Sequence, residues 1–162
     1  MNYITSLVFC TTFSLPEFVK SDISRGTAIT ITNYGSKNAF TSRAHPGIVA
    51  EISDGSVFFV WLYNSVETIA NYDNKTTSGK HVCITDNTLE KYVTLEPCDA
   101  TNRGQIWNFA KQKKNGTFTI KNLRSKRCLN NNQDTIIVER KVCIHEDDGP
   151  NIYQKWRVEP YV

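Results

Sequence analysis

The chain has 162 residues, of which 40% are hydrophobic and 22% are charged, an ordinary composition for a single globular domain. Its 19 basic and 16 acidic residues leave a net charge of only +3, so the strong basic excess of a dedicated nucleic-acid-binding domain is missing. The longest stretch without a charged residue, Met1 to Pro16, is shorter than the roughly 20 mostly apolar residues that span a bilayer. These properties exclude a dedicated nucleic-acid binder and a transmembrane helix.

We interpret residues 1–25 as a separate N-terminal segment. Tyr3 to Leu15 is a mostly apolar run that contains Cys10. Such a run is typical of the core of a signal peptide, although no Lys or Arg precedes it and no small-residue cleavage site follows it. Cleavage would remove Cys10, whereas retention would leave an odd thiol able to join another chain. Both outcomes stay open, and we place the folded domain at residues 26–162.

The rest of the chain is predicted to form short strands separated by turns. Residues 28–32 and 117–121 alternate apolar and polar side chains, and residues 56–61 and 135–138 are β-branched or apolar runs. Clusters of Asn, Asp, Gly and Ser separate these runs, and no segment has a sustained apolar face with helical period. The sequence therefore predicts an all-β domain.

Three similar segments follow one another along the chain. Tryptophans stand at 61, 107 and 156, and the last two end the words Gln-x-Trp at 105–107 and 154–156. Upstream, residues 33–40 align with residues 122–129, which share an Asn, a Ser and a Lys, and a middle copy lies at 76–84. Because a repeat of this length cannot bury its apolar face alone, we expect three copies to close around a pseudo-threefold axis and to pool their tryptophans in one core.

Four of the five cysteines fall into two pairs with the same spacing. Cys83 and Cys98 are 15 residues apart, as are Cys128 and Cys143. Neither pair has the C-x-x-C spacing of zinc ribbons and redox sites, so two local disulfides fit better than metal or redox chemistry, and buried free thiols are the alternative. Since disulfides require an oxidising compartment, we expect the protein to be secreted or displayed at a cell surface.

These repeated words resemble the ricin-type (R-type) lectins. Repeats of that family carry Gln-x-Trp near their end, an early Cys after a Gly/Ser-Lys turn, and a second Cys after an apolar strand. The resemblance covers residues 26–162 and is closest in the middle copy, where Cys83, Cys98 and the word at 105–107 follow in register. It implies a β-trefoil of three pseudo-symmetric four-stranded repeats, and a non-catalytic, cofactor-free domain that binds carbohydrate.

The sugar pocket that the resemblance implies is altered in this sequence. In the family, an Asp two residues after the first Cys accepts hydrogen bonds from sugar hydroxyls, and an aromatic residue two before the second Cys stacks on the sugar ring. In the middle copy these positions hold Thr85 and Glu96, and in the third copy they hold Asn130 and Lys141. The first copy has no cysteines.

Six residues are nevertheless the expected carbohydrate contacts, four in the middle copy and two in the third. They are Asp86, Asn87, Tyr92, Gln105, Asn130 and Gln154. Asp86 is displaced by one position from the family pattern, and Tyr92 would supply a stacking face. For Gln105 and Gln154 the competing interpretation is a structural one, because this Gln commonly serves the packing of the trefoil itself.

Catalysis and metal binding find little support in the sequence. The histidines His45, His81 and His145 lie in different repeats without an adjacent Ser or Cys motif, so a nucleophile and its base would have to meet by chance of folding. The acidic group at 146–148 is followed by Gly and Pro, which is typical of a solvated turn. We therefore predict no catalytic site and no metal site.

The leading hypothesis is a lectin that adheres to glycans, galactose-like sugars among them, at a host or cell surface. The alternative is a protein-interaction trefoil that serves as the binding subunit of a multi-component toxin, with a catalytic partner chain, or as a coat protein. The missing stacking aromatic favours the alternative. Basic clusters at 111–114 and 124–127 suit sulfated glycans or acidic partners, or are simply solvated.

Overall fold

A computed structural model of the chain describes residues 26–41, 49–51, 61–63, 67–87, 92–112, 116–131, 138–143 and 151–161. The N-terminal segment, with Cys10 and the predicted signal-peptide features, lies outside these ranges. His45, His145 and the acidic group at 146–148 lie outside them as well.

The described ranges contain twelve strands, four from each of the predicted repeats. The first repeat comprises β1 (Thr27–Asn33), β2 (Ala39–Thr41), β3 (Val49–Glu51) and β4 (Trp61–Tyr63). The second comprises β5 (Ile69–Lys75), β6 (His81–Thr85), β7 (Thr94–Pro97) and β8 (Trp107–Lys111). The third comprises β9 (Phe118–Asn122), β10 (Cys128–Asn131), β11 (Val138–Lys141) and β12 (Trp156–Pro160). Short 3-10 turns, Arg103–Gln105 and Ile152–Gln154, precede β8 and β12.

The first and fourth strands of each repeat close into a six-stranded barrel. Antiparallel pairing runs from β8 through β9, β12, β1 and β4 to β5. A bridge between Thr68 and Ile106 and a hydrogen bond from the Trp107 N–H to the Glu67 carbonyl join β5 to β8. The remaining strands form the hairpins β2–β3, β6–β7 and β10–β11. This architecture is a β-trefoil, so the predicted fold class is confirmed.

Alternating side chains explain why these segments form barrel strands. In β1, Ile29 and Ile31 are fully buried and the neighbouring Thr30 and Thr32 are half-buried, as the period of two requires. The strands predicted at 28–32 and 117–121 are therefore confirmed as β1 and β9. β4 begins at Trp61 and β11 at Val138, and the rest of the predicted runs at 56–61 and 135–138 lies outside the described ranges.

The three tryptophans occupy equivalent places in one apolar core. All three are fully buried and belong to a single cluster of packed side chains. Their indole N–H groups donate to backbone carbonyls in β2, β6 and β10, namely Trp61 to Phe40 (3.3 Å), Trp107 to Ile84 (2.9 Å) and Trp156 to Leu129 (3.1 Å). Each acceptor directly follows the first cysteine position of its repeat, so the predicted pooling of the indoles is confirmed.

The aligned words at 33–40 and 122–129 form equivalent turns. The side-chain oxygen of Asn33 accepts hydrogen bonds from the N–H groups two and three residues ahead, and that of Asn122 does the same. Each asparagine also donates to a carbonyl of a 3-10 turn in another repeat, Asn33 to that of Tyr153 (2.9 Å) and Asn122 to that of Gly104 (2.8 Å). Lys37 and Lys126 follow with φ angles of 66° and 61°, which reverses the chain into β2 and β10.

Both predicted disulfides are present. Cys83 is bonded to Cys98, and Cys128 is bonded to Cys143. Each bond joins the second strand of its repeat to the end of the third strand, so the two strands of the β6–β7 and β10–β11 hairpins are cross-linked. The alternative of buried free thiols does not apply to these four residues.

Candidate functional site

One side of the β6–β7 hairpin presents polar side chains at the surface. Thr94 and Glu96 alternate along β7, opposite Thr85 and Cys83 of β6, and both are half-buried. The Thr94 hydroxyl donates to the Glu96 carboxylate (Oγ1 to Oε1, 3.2 Å). Tyr92 lies two residues before Thr94, so the period of two places it on the same side of the strand. We refer to Asn87, Tyr92, Thr94 and Glu96 together as the hairpin face.

Asn87 and Tyr92 stand at the two ends of the loop that connects β6 to β7. Both side chains are half-buried, and residues 88–91 between them lie outside the described ranges. Of the six contacts predicted from the sequence, these two alone combine a polar or aromatic side chain with access to solvent.

Gln105 lies beneath the hairpin face and is 1% exposed. Its amide nitrogen donates to the Thr85 hydroxyl (3.0 Å) and to the Pro97 carbonyl (3.0 Å), and its amide oxygen accepts from the Asp99 N–H (2.8 Å). The side chain therefore ties β6, the end of β7 and the following turn together. This geometry supports the structural interpretation of the Gln in Gln-x-Trp.

Replacing Gln105 by alanine is expected to lower the free energy of unfolding by about 2–4 kcal/mol, because three hydrogen bonds are lost at about 1 kcal/mol each and buried groups are left unsatisfied. Gln112 provides a matched control, since it is half-buried and donates to the Thr119 hydroxyl (2.7 Å). Its replacement by alanine should cost about 1 kcal/mol or less. Urea denaturation followed by tryptophan fluorescence measures both, and equal losses would contradict this role of Gln105.

The turn that leads to Gln105 begins with Asp99. The Asp99 carboxylate accepts hydrogen bonds from the Thr101 hydroxyl (2.7 Å) and the Thr101 N–H (2.8 Å). These two bonds hold the pKa of Asp99 below its ordinary value. The carboxylate is therefore charged at neutral pH and fixes the turn that presents the Asp99 N–H to Gln105.

Thr85 occupies the position of the expected sugar-binding Asp and is 1% exposed. Its hydroxyl accepts from Gln105 and donates to the Cys83 carbonyl (3.1 Å). Both hydrogen bonds lie inside the domain. Thr85 therefore supports the hairpin and does not face solvent.

Asp86 is fully buried at the junction between repeats two and three. Its N–H donates to the Gly104 carbonyl (2.9 Å), and its carbonyl accepts from the Arg124 guanidinium (2.6 Å). A sugar hydroxyl cannot reach this carboxylate in the present conformation. The displacement by one residue thus places the acidic side chain inside the junction, beside the hairpin face.

Each of the two junctions at a Gln-x-Trp turn packs a glycine against a large side chain. At the junction of repeats two and three, Gly104 is small and Arg124 lies over it, so that an added Cβ would be 2.8 Å from the guanidinium. At the junction of repeats three and one the sizes are reversed. Tyr153 is the equivalent of Gly104, directly before the Gln of Gln-x-Trp, and Gly35 is the equivalent of Arg124, two residues after the turn asparagine. A Cβ on Gly35 would meet the Tyr153 ring at 3.1 Å. The two junctions therefore expose different side chains.

The candidates of repeat three are buried. Asn130 is 4% exposed and Gln154 is 2% exposed, with the Gln154 amide donating to the Val142 carbonyl (2.8 Å). Val142 directly precedes the second cysteine, as Pro97 does in repeat two, so Gln154 repeats one of the bonds of Gln105. Asn131 is also buried and donates to the Ser36 hydroxyl (2.6 Å). In repeat three the position of Glu96 is held by Lys141, which is exposed and carries the opposite charge.

Glu96 and Thr94 were not among the predicted contacts. In the sequence, Glu96 is notable only as a departure from the family pattern, and Thr94 matches no position of that pattern. The signal that identifies them is the alternation Tyr92, Thr94, Glu96, which places an aromatic ring, a hydroxyl and a carboxylate on one side of a strand.

The described part of the chain offers no group of three His, Cys, Asp or Glu side chains arranged to hold a metal ion. His81, the histidine within the described ranges, lies at the start of β6 with its Nδ1 atom 3.3 Å from the Asn71 carbonyl oxygen. In the same ranges no helix is long and apolar enough to cross a membrane.

Comparison with known proteins gives the family. The model of the ricin-type beta-trefoil lectin domain matches residues 51–156. The chain therefore belongs to the ricin-type β-trefoil lectin domain family, whose domains are non-catalytic carbohydrate-binding modules. No curated protein matches the chain significantly.

Solved structures share the fold at low sequence identity. A galactoside complex of a non-toxic type II ribosome-inactivating-protein homologue from Momordica charantia has a TM-score of 0.64 and 15% identity, over 83% of this chain and 48% of that one. A mosquitocidal holotoxin has a TM-score of 0.66 and 15% identity, over 86% and 18%. The designed threefold-symmetric protein ThreeFoil has a TM-score of 0.62 and 12% identity, over 83% and 99%. The chain thus spans about half of the first protein and about a fifth of the second.

Proposed function

We propose that this chain is a secreted or surface-displayed lectin that adheres to glycans with galactose-like termini through the hairpin face of repeat two. The observation that carries the proposal is the side-by-side placement of Thr94 and Glu96 on β7 of a ricin-type lectin domain, with Tyr92 two residues before Thr94 at the end of the preceding loop. An aromatic ring and a carboxylate are the two groups that the family pattern requires, and both are present here at shifted positions.

The chemistry of these groups suits a sugar. The Glu96 carboxylate accepts charge-assisted hydrogen bonds from sugar hydroxyls, which are about twice as strong as bonds between neutral groups. Thr94 already donates to Glu96 and so orients the carboxylate. The Tyr92 ring offers a flat apolar surface for the C–H face of a pyranose and a hydroxyl for a polar contact.

Buried residues act as positioning residues in this proposal. Gln105 holds the end of β7 through the Pro97 carbonyl. Asp86 fixes the start of the loop that carries Asn87, because its backbone bonds to Gly104 of repeat two and to Arg124 of repeat three. Asn87 then contributes a polar contact across the loop from Tyr92. Gln154 has the role of Gln105 in repeat three, through its bond to the Val142 carbonyl.

The disulfides support an extracellular location, because such bonds persist in oxidising compartments. The Cys83–Cys98 bond also lies within the hairpin that carries the proposed site. A binding surface on this hairpin would keep its shape outside the cell.

A second candidate function is a protein-interaction trefoil that serves as the binding subunit of a multi-component toxin or as a coat protein. The specific observation in its favour is the burial of Asp86 together with Glu96 at the position of the stacking aromatic. Similarity in fold to part of a mosquitocidal holotoxin is compatible with this candidate.

A glycan array with the purified protein tests the proposal. The parent is expected to bind galactose-terminated glycans, and Glu96→Ala should weaken binding about tenfold or more, since one charge-assisted bond is worth about 1.5–3 kcal/mol. Tyr92→Ala should also weaken binding, because it removes the stacking face. Glu159→Ala is the matched control, because Glu159 is an exposed carboxylate on β12, away from the hairpin. Binding by the control should equal that of the parent.

Two results would contradict the proposal. If the parent binds no glycan, the scaffold function is favoured. If Glu96→Ala binds as the parent does, the site lies elsewhere. Thermal unfolding of each variant by circular dichroism shows whether a loss of binding reflects the site or the fold.

A further inference from the structure

The positive charge of the chain is concentrated in one segment. Residues 100–133 contain eight Lys and Arg residues and no Asp or Glu. The other residues hold the remaining 11 basic and all 16 acidic side chains, a net charge of −5. The small net charge of +3 therefore hides a strongly basic segment attached to an acidic remainder.

The fold gathers four of these eight basic residues, together with Lys141 from outside the segment, around the turn between β9 and β10. Lys121 and Lys141 pair with Cys128 from the two neighbouring strands, one on each side. Arg124, Lys126 and Arg127 lie in the turn itself. All of these basic side chains are exposed. We call this surface the basic face, made of Lys121, Arg124, Lys126, Arg127 and Lys141.

The backbone beneath the basic face is held in place by several bonds. The Asn122 side chain accepts from the N–H groups of Arg124 and Ser125 (2.9 and 3.1 Å), and the Asn122 N–H donates to the Arg127 carbonyl (2.9 Å). The disulfide of Cys128 lies directly behind the turn. Because the charges stand on an ordered turn, binding a partner costs less conformational entropy of the protein than it would on a flexible segment.

We propose that the basic face binds a sulfated polysaccharide, at a site distinct from the hairpin face. Grouped cations attract a polyanion and release its counterions, so the binding free energy comes from several phosphate- or sulfate-like contacts at once. This site stands on the charge and geometry of repeat three and does not depend on the binding of a neutral sugar by repeat two.

A sulfated polysaccharide fits the basic face better than a nucleic acid does. Proteins that bind single strands stack bases on exposed aromatic rings, but the aromatic residues of the segment, Trp107, Phe109 and Phe118, are all at least nine-tenths buried. The disulfides also place the protein in an oxidising compartment, where sulfated polysaccharides are found.

The two proposed sites adjoin one another. Arg124 of the basic face donates to the carbonyl of Asp86 (2.6 Å), and the next residue, Asn87, belongs to the hairpin face. A single glycan chain with a neutral terminus and sulfated internal units could therefore contact both surfaces.

Binding to immobilised heparin, compared with fully desulfated heparin and with a DNA duplex, tests this inference. At about 0.15 M salt the parent should bind heparin and not the desulfated form. Lys121→Glu/Arg127→Glu should bind heparin at least tenfold more weakly, with a shallower dependence on salt. Lys80→Glu/Arg157→Glu removes the same charge at exposed positions elsewhere and should stay within about twofold of the parent.

Three outcomes would overturn the inference. The parent could fail to bind heparin, the two double variants could lose binding equally, or the duplex could bind more tightly than heparin. Glu96→Ala separates this site from the proposed lectin site, because it should leave heparin binding unchanged even if it abolishes binding to the glycan array. Thermal unfolding of both double variants provides the check on folding.

Discussion

Replacement of Trp107 by alanine is expected to lower the free energy of unfolding by about 3–5 kcal/mol, the range for removing a fully buried large aromatic. The indole lies at the centre of the shared core and is completely inaccessible to solvent. Its loss leaves a cavity that the other two repeats also line, so the surrounding side chains can relax only in part. Urea denaturation monitored by circular dichroism measures the change.

Trp107→Phe is the companion variant that separates volume from hydrogen bonding. A phenyl ring keeps much of the packing but removes the N–H that donates to the Ile84 carbonyl, and this change should cost about 1–3 kcal/mol. The pseudo-threefold arrangement predicts costs of the same order for Trp61→Phe and Trp156→Phe, whose indoles make the equivalent bonds. A cost below about 1 kcal/mol for Trp107→Ala would contradict a core shared by the three indoles.

Removal of the Cys83–Cys98 disulfide by the double substitution to alanine is expected to lower the free energy of unfolding by about 3 kcal/mol, the chain-entropy value for a loop of about 15 residues. The Cys128–Cys143 bond closes a loop of the same sequence separation, 15 residues, and its removal should cost a similar amount. Denaturation under oxidising conditions measures both variants against the parent.

The two disulfide variants should differ in function. Cys83 pairs with Glu96 across the β6–β7 hairpin, so loss of the first disulfide should weaken binding to galactose-terminated glycans. Loss of the second should weaken binding to heparin, because Cys128 lies between Lys121 and Lys141. If each variant weakened both activities to the same extent, the bonds would act on global stability alone.

The sequence could predict the fold because its determinants are local words that recur. These determinants are the Gln-x-Trp words, the aligned turns at 33–40 and 122–129, and the paired cysteines. The residues of each word or turn lie within a few positions of one another, and both cysteine pairs have the same spacing. Each of them has one physical role in the structure. The indoles fill the core, the asparagines cap the turns, and the cysteines cross-link the hairpins.

The candidate site was less predictable because it depends on contacts between repeats. In the sequence, Asp86 resembles a sugar ligand displaced by one position. In the structure it is buried where its backbone bonds to Gly104 and Arg124. Arg124 is 38 residues away in the chain. Nothing within the sequence around Asp86 indicates that junction. In the sequence Glu96 stands out only for the aromatic residue it replaces, and the pairing of Cys83 with Glu96 and of Thr85 with Thr94 shows that β7 carries both residues next to β6.

The basic face could not be predicted from the net charge of the chain. A net charge of +3 argues against a dedicated nucleic-acid binder, and from the sequence alone solvation is the favoured interpretation of the clusters at 111–114 and 124–127 over binding to sulfated glycans. The register of β9, β10 and β11 places Lys121 and Lys141 on the two sides of Cys128, at the residue where the turn enters β10. Charge counted along the chain therefore underestimates charge gathered on a surface.

The most direct test of the proposed carbohydrate site is an amide chemical-shift titration of the isotope-labelled protein with methyl α-galactoside. We expect saturable shifts concentrated at Asn87, Tyr92, Thr94 and Glu96, with the amides of repeat three unchanged. Saturable shifts confined to repeat one or repeat three, or no saturable shift at millimolar sugar, would contradict the hairpin of repeat two as the carbohydrate-binding site.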